Sequence, residues 1–228
     1  MTDLFDWAVA EIEAEYERLG HRIGWRFLMS PRRTLRRGAS TVLLTLNPGG
    51  KVDPVGHPKA SHENGSAYVH ERWPSDGATG ALLPPGRAPL QRQVQDLFAF
   101  LGEDPDETLS AYFIPFRSPS LRELTTPRES RAFAKRLWRR LLRELQPRRV
   151  VTLGQDAFSA VLEVLGHGFT PFFTPSGWGN VMLGRADYPG TKVYRLPHLS
   201  TFKIFSRPCC KAPLELLFER DALETRSK

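Results

Sequence analysis

Apolar side chains recur every three or four residues in several long segments of the chain, which is the spacing of one face of an α-helix. In residues 3–19, for example, Phe5, Ile12 and Tyr16 share such a face and glutamates surround it. A capping box with proline at its second position, residues 126–129, marks the start of another helix. The pattern predicts helices over residues 3–19, 89–101, 127–145 and 155–165 and from about residue 213 onward.

Shorter runs contain consecutive apolar and β-branched residues, which is typical of strands that are buried on both faces. They cover residues 41–46, 111–116, 150–153 and 192–196, and residues 23–29 are a weaker candidate. Strands that alternate with helices indicate a parallel sheet covered on both sides. The fold class expected is therefore α/β, a three-layer α/β/α arrangement with a central four-stranded parallel sheet.

Length, charge and cysteine content narrow the class of protein. A chain of 228 residues fits one domain, with a helix and basic segment in 1–38, a core in 40–207 and a C-terminal helix in 208–228. The formal net charge of +7 favours a polyanionic partner such as nucleic acid. The adjacent Cys209 and Cys210 predict neither a disulfide framework nor a zinc site. Without an apolar leader or a run of about 20 apolar residues, we expect a cytoplasmic protein with no membrane partner.

Residues 51–88 form a long segment that is rich in Gly, Pro, His and Ser and has no hydrophobic periodicity. Loops of this length inside a domain are usually functional or disordered. The many polar and aromatic side chains of this loop favour function over disorder. They are His57, His62, Glu63, Asn64, Tyr68, His70 and Trp73.

Polar residues follow the predicted strands. In open α/β sheets, ligands bind at the carboxyl ends of the strands, so we expect several of these residues to meet at one site. They are Asn47, Arg117, Ser118, Gln155 and His198.

Two of these strand ends resemble the signature motifs of the uracil-DNA glycosylase superfamily. Residues 46–50, Leu-Asn-Pro-Gly-Gly, are similar to the Asn-Pro-Gly motif of its single-strand-selective and mismatch-specific branches. Residues 198–200, His-Leu-Ser, are similar to the His-Pro-Ser motif that follows the last strand. The connecting segments 115–119 and 151–154 also fit, so the resemblance spans residues 40–207 in the family's order.

The resemblance implies an enzyme that flips a pyrimidine base out of DNA and cuts its N-glycosidic bond. His198 would stabilise the departing base through a pyrimidine oxygen, and Asn47 would hold the attacking water. Pro48, Gly49 and Gly50 would bind the base or a phosphate, because glycine permits close approach of the backbone. Each motif also has an ordinary interpretation, a turn or a structural histidine. Their occurrence together at strand ends favours catalysis.

The segment after His198 mixes aromatic, apolar and basic residues. In the superfamily the matching loop inserts an apolar wedge into the DNA stack, which the resemblance implies for Phe202. The alternative is that Phe202 and Phe205 are core residues. Contacts with DNA are expected from Arg117, Ser118, Ser200, Lys203 and Arg207.

The chain departs from the family in its second strand, where many relatives have an asparagine that reads the edge of uracil. Tyr112 stands at about that position, and tyrosine does not offer the paired donor and acceptor of an amide. With Tyr68 and Trp73 of the long loop as further binding residues, we favour a modified cytosine over uracil. Glycosylases that resemble this family and attack glucosylated hydroxymethylcytosine in phage DNA are a precedent. Residues 154–156, Gly-Gln-Asp, copy another family motif but follow the third strand, so we interpret them as a turn.

Two other classes of function stay open. One is a nucleotide or small-molecule enzyme on the same scaffold, although the chain has no P-loop and no Gly-x-Gly-x-x-Gly after a strand. The other is a nucleic-acid-binding module that has lost catalysis, against which Asn47 and His198 argue. For the glycosylase we expect no cofactor, no metal and no obligate protein partner. Nothing marks Lys51 or Lys203 as an activated lyase nucleophile, so the expected product is an abasic site.

Overall fold

The computed structural model of the protein describes residues 3–54, 56–75, 80–166 and 169–224, the last six without their side chains. Residue 55 and residues 76–79 of the long loop, and residues 225–228 of the predicted C-terminal segment, lie outside this description. The helices are α1 (Leu4–Arg18), α2 (Ala67–His70), α3 (Pro89–Leu101), α4 (Pro127–Leu145), α5 (Gln155–Leu165) and α6 (Lys211–Glu224). The strands are β1 (Thr41–Thr45), β2 (Leu109–Tyr112), β3 (Arg149–Leu153), β4 (Phe172–Pro175), β5 (Met182–Tyr188) and β6 (Thr191–Leu196).

The strands form one mixed sheet in the order β2-β1-β3-β6-β5-β4. The first four are parallel neighbours, with β1 between β2 and β3, and with β3 paired to β6. Beyond β6 the sheet continues antiparallel through β5 and β4. The predicted α/β class is confirmed. The prediction of a four-stranded, all-parallel sheet is wrong, because the β4–β5 hairpin adds two antiparallel strands at β6.

Helices cover both faces of the sheet, because successive strand residues point to opposite sides. On one face, Val42 and Leu44 belong to a core that includes residues of α1, α4 and α5. On the other face, Leu43 belongs to a second core that includes residues of α2, α3 and α6. Trp138 is fully buried in the first core and Tyr68 in the second. Strand β1 is therefore enclosed by apolar side chains on both sides.

Two predicted details differ from the structure for local reasons. Strand β2 lies at Leu109–Tyr112 instead of residues 111–116, because these four residues pair with β1, and the buried but polar Ser110 interrupts the apolar pattern. Helix α4 begins at Pro127 as predicted, but the capping box does not form. Thr126 has a left-handed backbone (φ 46°), and its side chain makes no capping hydrogen bond.

The predicted strand at residues 23–29 lies antiparallel to β2 without forming a regular strand. Isolated bridges join Trp25 to Phe116 and Leu28 to Ala111. The N–H of Tyr112 also donates to the carbonyl of Phe27 at 3.0 Å. This segment covers the outer edge of β2 and brings Arg26 to the carboxyl end of that strand.

Helix α4 has a basic face, and part of this face packs against neighbouring helices. The face consists of Arg131, Lys135, Arg136, Arg139, Arg140 and Arg143. Arg131 lies 3.6 Å from Asp156 of α5, and the Arg140 guanidinium stacks over the ring of Trp7 in α1, 3.9 Å from its centre. These contacts give part of the basic face a role in helix packing. Over the ranges that the structure describes, no helix combines the length and apolarity needed to cross a membrane.

Replacement of Trp138 tests the first core. Its ring is fully buried, and its Nε1 donates to the carbonyl of Phe113 at 2.9 Å. We expect Trp138→Ala to lower the free energy of unfolding by about 3–5 kcal/mol, because it leaves a cavity and an unpaired carbonyl. Denaturant unfolding measures this, with the exposed neighbour Arg139→Ala expected to change stability by less than about 0.5 kcal/mol. A loss below about 1 kcal/mol for Trp138→Ala would contradict the packing.

Candidate functional site

Polar side chains meet at the carboxyl edge of the four parallel strands. Asn47 follows the end of β1 by two residues, and His198 follows the end of β6 by two residues. Strand β3 lies between them, and since neighbouring strands are about 4.8 Å apart, the two residues leave the sheet about 10 Å from each other. Gly154 directly follows β3, and an added Cβ there would meet no atom within 4 Å. The sheet edge therefore has free space at Gly154, between the loops of Asn47 and His198.

The Asn47 side chain is oriented by the residues that follow β2. Its Nδ2 donates to Ser118 Oγ at 2.9 Å and to the carbonyl of Pro48 at 3.1 Å. The Ser118 hydroxyl itself donates to the carbonyl of Ser120 at 2.8 Å, so it accepts from Asn47 and fixes which end of the amide is nitrogen. Among the described residues, nothing donates to Asn47 Oδ1. This oxygen is an available acceptor for water or a ligand.

Arg117 holds the outer part of the same loop. Its guanidinium donates to the carbonyl of Gly49 and lies 3.6 Å from the carboxylate of Asp53. Burial lowers the pKa of Arg117, which is 8% exposed. Ser118 is also buried, and its N–H donates to the carbonyl of Pro48 at 3.0 Å. Both side chains are enclosed and support the loop that carries Asn47, and the expectation that Arg117 and Ser118 contact DNA stays a prediction.

His198 opens a tight turn after β6. The backbone N–H groups of Thr201 and Phe202 both donate to its carbonyl at 3.0 Å, and its Nδ1 lies 2.7 Å from Ser200 Oγ. Although the side chain has an exposed surface, desolvation by the adjacent protein lowers the pKa of His198. The ring is therefore neutral at neutral pH. When the Ser200 hydroxyl donates to Nδ1, Nε2 carries the proton and offers one directed donor.

A buried ion pair lies near the end of β2, and sequence analysis did not identify it. Arg26 and Glu71 form two hydrogen bonds of 3.0 and 2.8 Å, and their side chains are 4% and 6% exposed. His57 Nδ1 lies 2.6 Å from the same carboxylate. Burial raises the pKa of Glu71, but the hydrogen bonds from His57 and Arg26 outweigh it and lower the pKa to about 2. The partners are 45 residues apart, so no local pattern connects Arg26 with Glu71.

Tyr112 lies beside these charged groups. Burial raises the pKa of the Tyr112 hydroxyl. The positive charges of Arg26 and Arg117 act in the opposite direction, but burial is the larger effect. The Nε atoms of Arg26 and Arg117 are buried and have no hydrogen-bond partner among the described residues. Tyr112 is therefore a neutral side chain in a region that is rich in donors.

Most side chains of the long loop have structural partners. The His62 ring is buried, and its Nδ1 lies 2.9 Å from the carbonyl oxygen of Gly65. His70 Nε2 lies 2.9 Å from the carboxylate of Asp106. Tyr68, expected to bind substrate, is fully buried, and burial raises the pKa of its hydroxyl. Its ring meets the edge of Trp73 at 5.4 Å, and Trp73 keeps some exposed surface. Trp73 is thus better placed than Tyr68 to contact a ligand.

The loop after His198 packs against a residue that sequence analysis missed. Phe202 is half-buried and meets the ring of Trp178 edge to face at 5.7 Å. The Arg207 guanidinium lies 3.5 Å from the centre of the Trp178 ring. Lys203 and Arg207 are exposed, as a DNA contact requires. Trp178 lies in a glycine-containing turn without hydrophobic periodicity, so no pattern marked it.

Two cavities are lined by residues other than Asn47 and His198. One of about 380 Å³ borders residues 204–208, and one of about 490 Å³ follows the basic face of α4. Gln155, at the end of β3, is directed to Ser159 at 2.9 Å. Within the described ranges, no group of three or more His, Cys, Asp or Glu side chains is arranged to hold a metal ion.

Comparison of the chain with models of known protein families finds no match, and neither does comparison with curated proteins. The proposed function consequently depends on the geometry of the strand ends and on the two sequence motifs.

The acid response of the protein tests the Arg26–Glu71 pair. The pKa of Glu71 is lowered from its ordinary 4.5 to about 2 in the folded protein, so its ionisation stabilises the fold above pH 4.5. That contribution is lost as the pH falls from 4.5 towards 2. We expect the difference in unfolding free energy between wild type and Glu71→Gln, measured with denaturant, to narrow across this window. A difference that stays constant from pH 7 to pH 2 would contradict the ion pair.

Proposed function

We propose that the protein is a DNA glycosylase that hydrolyses the N-glycosidic bond of a base turned out of the DNA stack. The observation that carries the proposal is the placement of Asn47 and His198 at one edge of the sheet, the first with a free acceptor and the second with a neutral donor. The resemblance of residues 46–50 and 198–200 to the uracil-DNA glycosylase superfamily supports it. In this proposal the parallel strands β2, β1, β3 and β6 correspond to the superfamily's core, and β4 and β5 are an addition.

The two side chains suit the two halves of the reaction. The bond between C1′ of the sugar and the ring nitrogen breaks, and its electron pair leaves with the base. Nε2 of His198 donates to a pyrimidine oxygen and stabilises the negative charge that develops there. Oδ1 of Asn47 accepts from a water molecule whose oxygen forms the new bond to C1′, and the proton lost by that water passes to solvent or to the departing base. Because an amide is a poor base, the glycosidic bond is largely broken before water adds.

DNA is the partner in this proposal. The net charge of +7 and the exposed Lys203 and Arg207 beside the His198 turn favour contacts with phosphates. Phe202 is the proposed wedge, and its ring contacts Trp178 edge to face. Insertion of such a side chain offsets part of the cost of flipping, which is a few kcal/mol.

We propose a modified cytosine, such as glucosylated 5-hydroxymethylcytosine, as the preferred base, with uracil as the alternative. Tyr112 supplies no amide for the edge of uracil. The long loop 51–88 is larger than a small base requires, and its Trp73 keeps exposed surface. These features favour a bulky substituent on the base over plain uracil. A preference for a phage DNA base would make the protein a defence enzyme.

Substitution of the two strand-end residues tests the mechanism. We expect Asn47→Ala and His198→Ala each to lower base release at least ~100-fold, because each removes one positioning or electrostatic group. Release is measured as alkali-sensitive abasic sites. Gln155→Ala is the matched control, since this amide also follows a strand but is directed to Ser159. Near-normal turnover in Asn47→Ala or His198→Ala would contradict the proposed mechanism.

The choice of base is tested by offering uracil-DNA, 5-hydroxymethylcytosine-DNA and glucosylated phage DNA side by side. We expect glucosylated base to be released at least about tenfold faster than uracil, because a site built for a polar substituent discriminates strongly against substrates that lack it. Tyr112→Asn restores the family's amide and should shift the preference towards uracil. Efficient release of uracil by the wild type, with glucosylated DNA left intact, would contradict this preference and indicate a uracil-DNA glycosylase of base-excision repair.

A further inference from the structure

We propose that Trp178, Phe202 and Arg207 form a stacking surface for an unpaired nucleotide of single-stranded DNA next to the candidate site. The inference rests on the proposed function, since it names the form of DNA that this site would accept. Trp178 belongs to neither motif and lies in the hairpin that extends the sheet beyond β6.

The hairpin brings Trp178 to the same edge as His198. Gly184 of β5 pairs with Arg195 of β6 in antiparallel register, so the chain that precedes β5 lies beyond the carboxyl end of β6. Residues 176–181 form the turn at this end, between β4 and β5. The His198 turn leaves β6 at the same place, and Phe202 of that turn contacts Trp178.

The turn is held firmly against the chain that follows Phe202. The Oγ of Ser176, which is fully buried, accepts from the N–H of Trp178 at 3.3 Å, and the carbonyl of Trp178 accepts from Val181 at 3.3 Å. Gly177 has a left-handed backbone (φ +82°), and a Cβ there would lie 2.1 Å from the carbonyl oxygen of Cys209. Only glycine permits this close approach. Because the indole is already positioned, binding a nucleotide costs little ordering entropy.

The chemistry of the three side chains suits a nucleotide. Trp178 and Phe202 keep partial exposure, and the exposed Arg207 stacks 3.5 Å from the centre of the indole ring. No carboxylate of the described residues pairs with Arg207 or with the nearby Lys203, so their charge is free for phosphates. Aromatic rings next to cations are the usual means by which proteins hold single strands without reading sequence.

The surface continues on the other side of Arg207. This residue also borders the cavity of about 380 Å³, together with Lys211 and the apolar rings of Phe100 and Phe205. A DNA strand that leaves the candidate site past Trp178 would therefore meet a second apolar surface, which is bordered by the cations Arg207 and Lys211. In a duplex the base faces are stacked on each other, so this surface favours unpaired DNA.

Tryptophan fluorescence with a 12-nucleotide single strand of thymidines tests the proposal without turnover. We expect the oligonucleotide to quench the emission of the wild-type protein. Trp178→Ala should remove most of the quenching and weaken affinity at least about fivefold, the effect of losing one stacked base. Trp7→Ala is the matched control, because Trp7 also lies under an arginine, Arg140 at 3.9 Å, but on the α1–α4 side. Circular dichroism of both variants confirms folding.

Equal affinity and equal quenching in Trp178→Ala and Trp7→Ala would overturn the proposal. So would a 12-base-pair duplex that depends on Trp178 as strongly as the single strand does. Because the oligonucleotide carries no modified base, a protein without glycosylase activity can pass this test and an active glycosylase can fail it. The stacking surface and the proposed function are thus tested separately.

Discussion

The hydrogen bonds that align β2, β1, β3 and β6 in parallel bring four loops to one edge of the sheet, and the candidate site depends on this alignment. Asn47 and His198 are about 150 positions apart in the chain, yet only one strand separates the strands that they follow. Gly154 at the end of that strand leaves space between them. A small site is thus assembled from loops, while the buried strands supply rigidity.

Two buried arginines support this edge. Arg117 links the segment after β2 to Gly49, and Arg26 joins Glu71 of the long loop. Buried charges are costly unless they are paired, so each such contact specifies where its loop lies. The same enclosure leaves an Nε of each arginine without a partner among the described residues.

Local patterns predicted much of the fold and only part of the site. Helices α1, α3 and α4 were predictable because their buried faces repeat with the helical period, and β1, β3 and β6 because both their faces are apolar. Strands β4 and β5 were not predictable. Phe172 and Phe173 of β4 are exposed, so β4 is defined only by its pairing with β5. Asn47 and His198 could be found because each follows a predictable strand. Trp178 could not, since only tertiary contacts bring it there.

Mass spectrometry of DNA treated with the purified protein decides whether the protein is a glycosylase, with free bases and abasic sites counted in the same sample. We expect one free modified pyrimidine for each abasic site, with strands that stay intact until alkali is added. Neither product should form with a variant that lacks both Asn47 and His198 side chains. If uracil-DNA, 5-hydroxymethylcytosine-DNA and glucosylated phage DNA are all bound but none releases a base, the protein is a binding module and not a glycosylase.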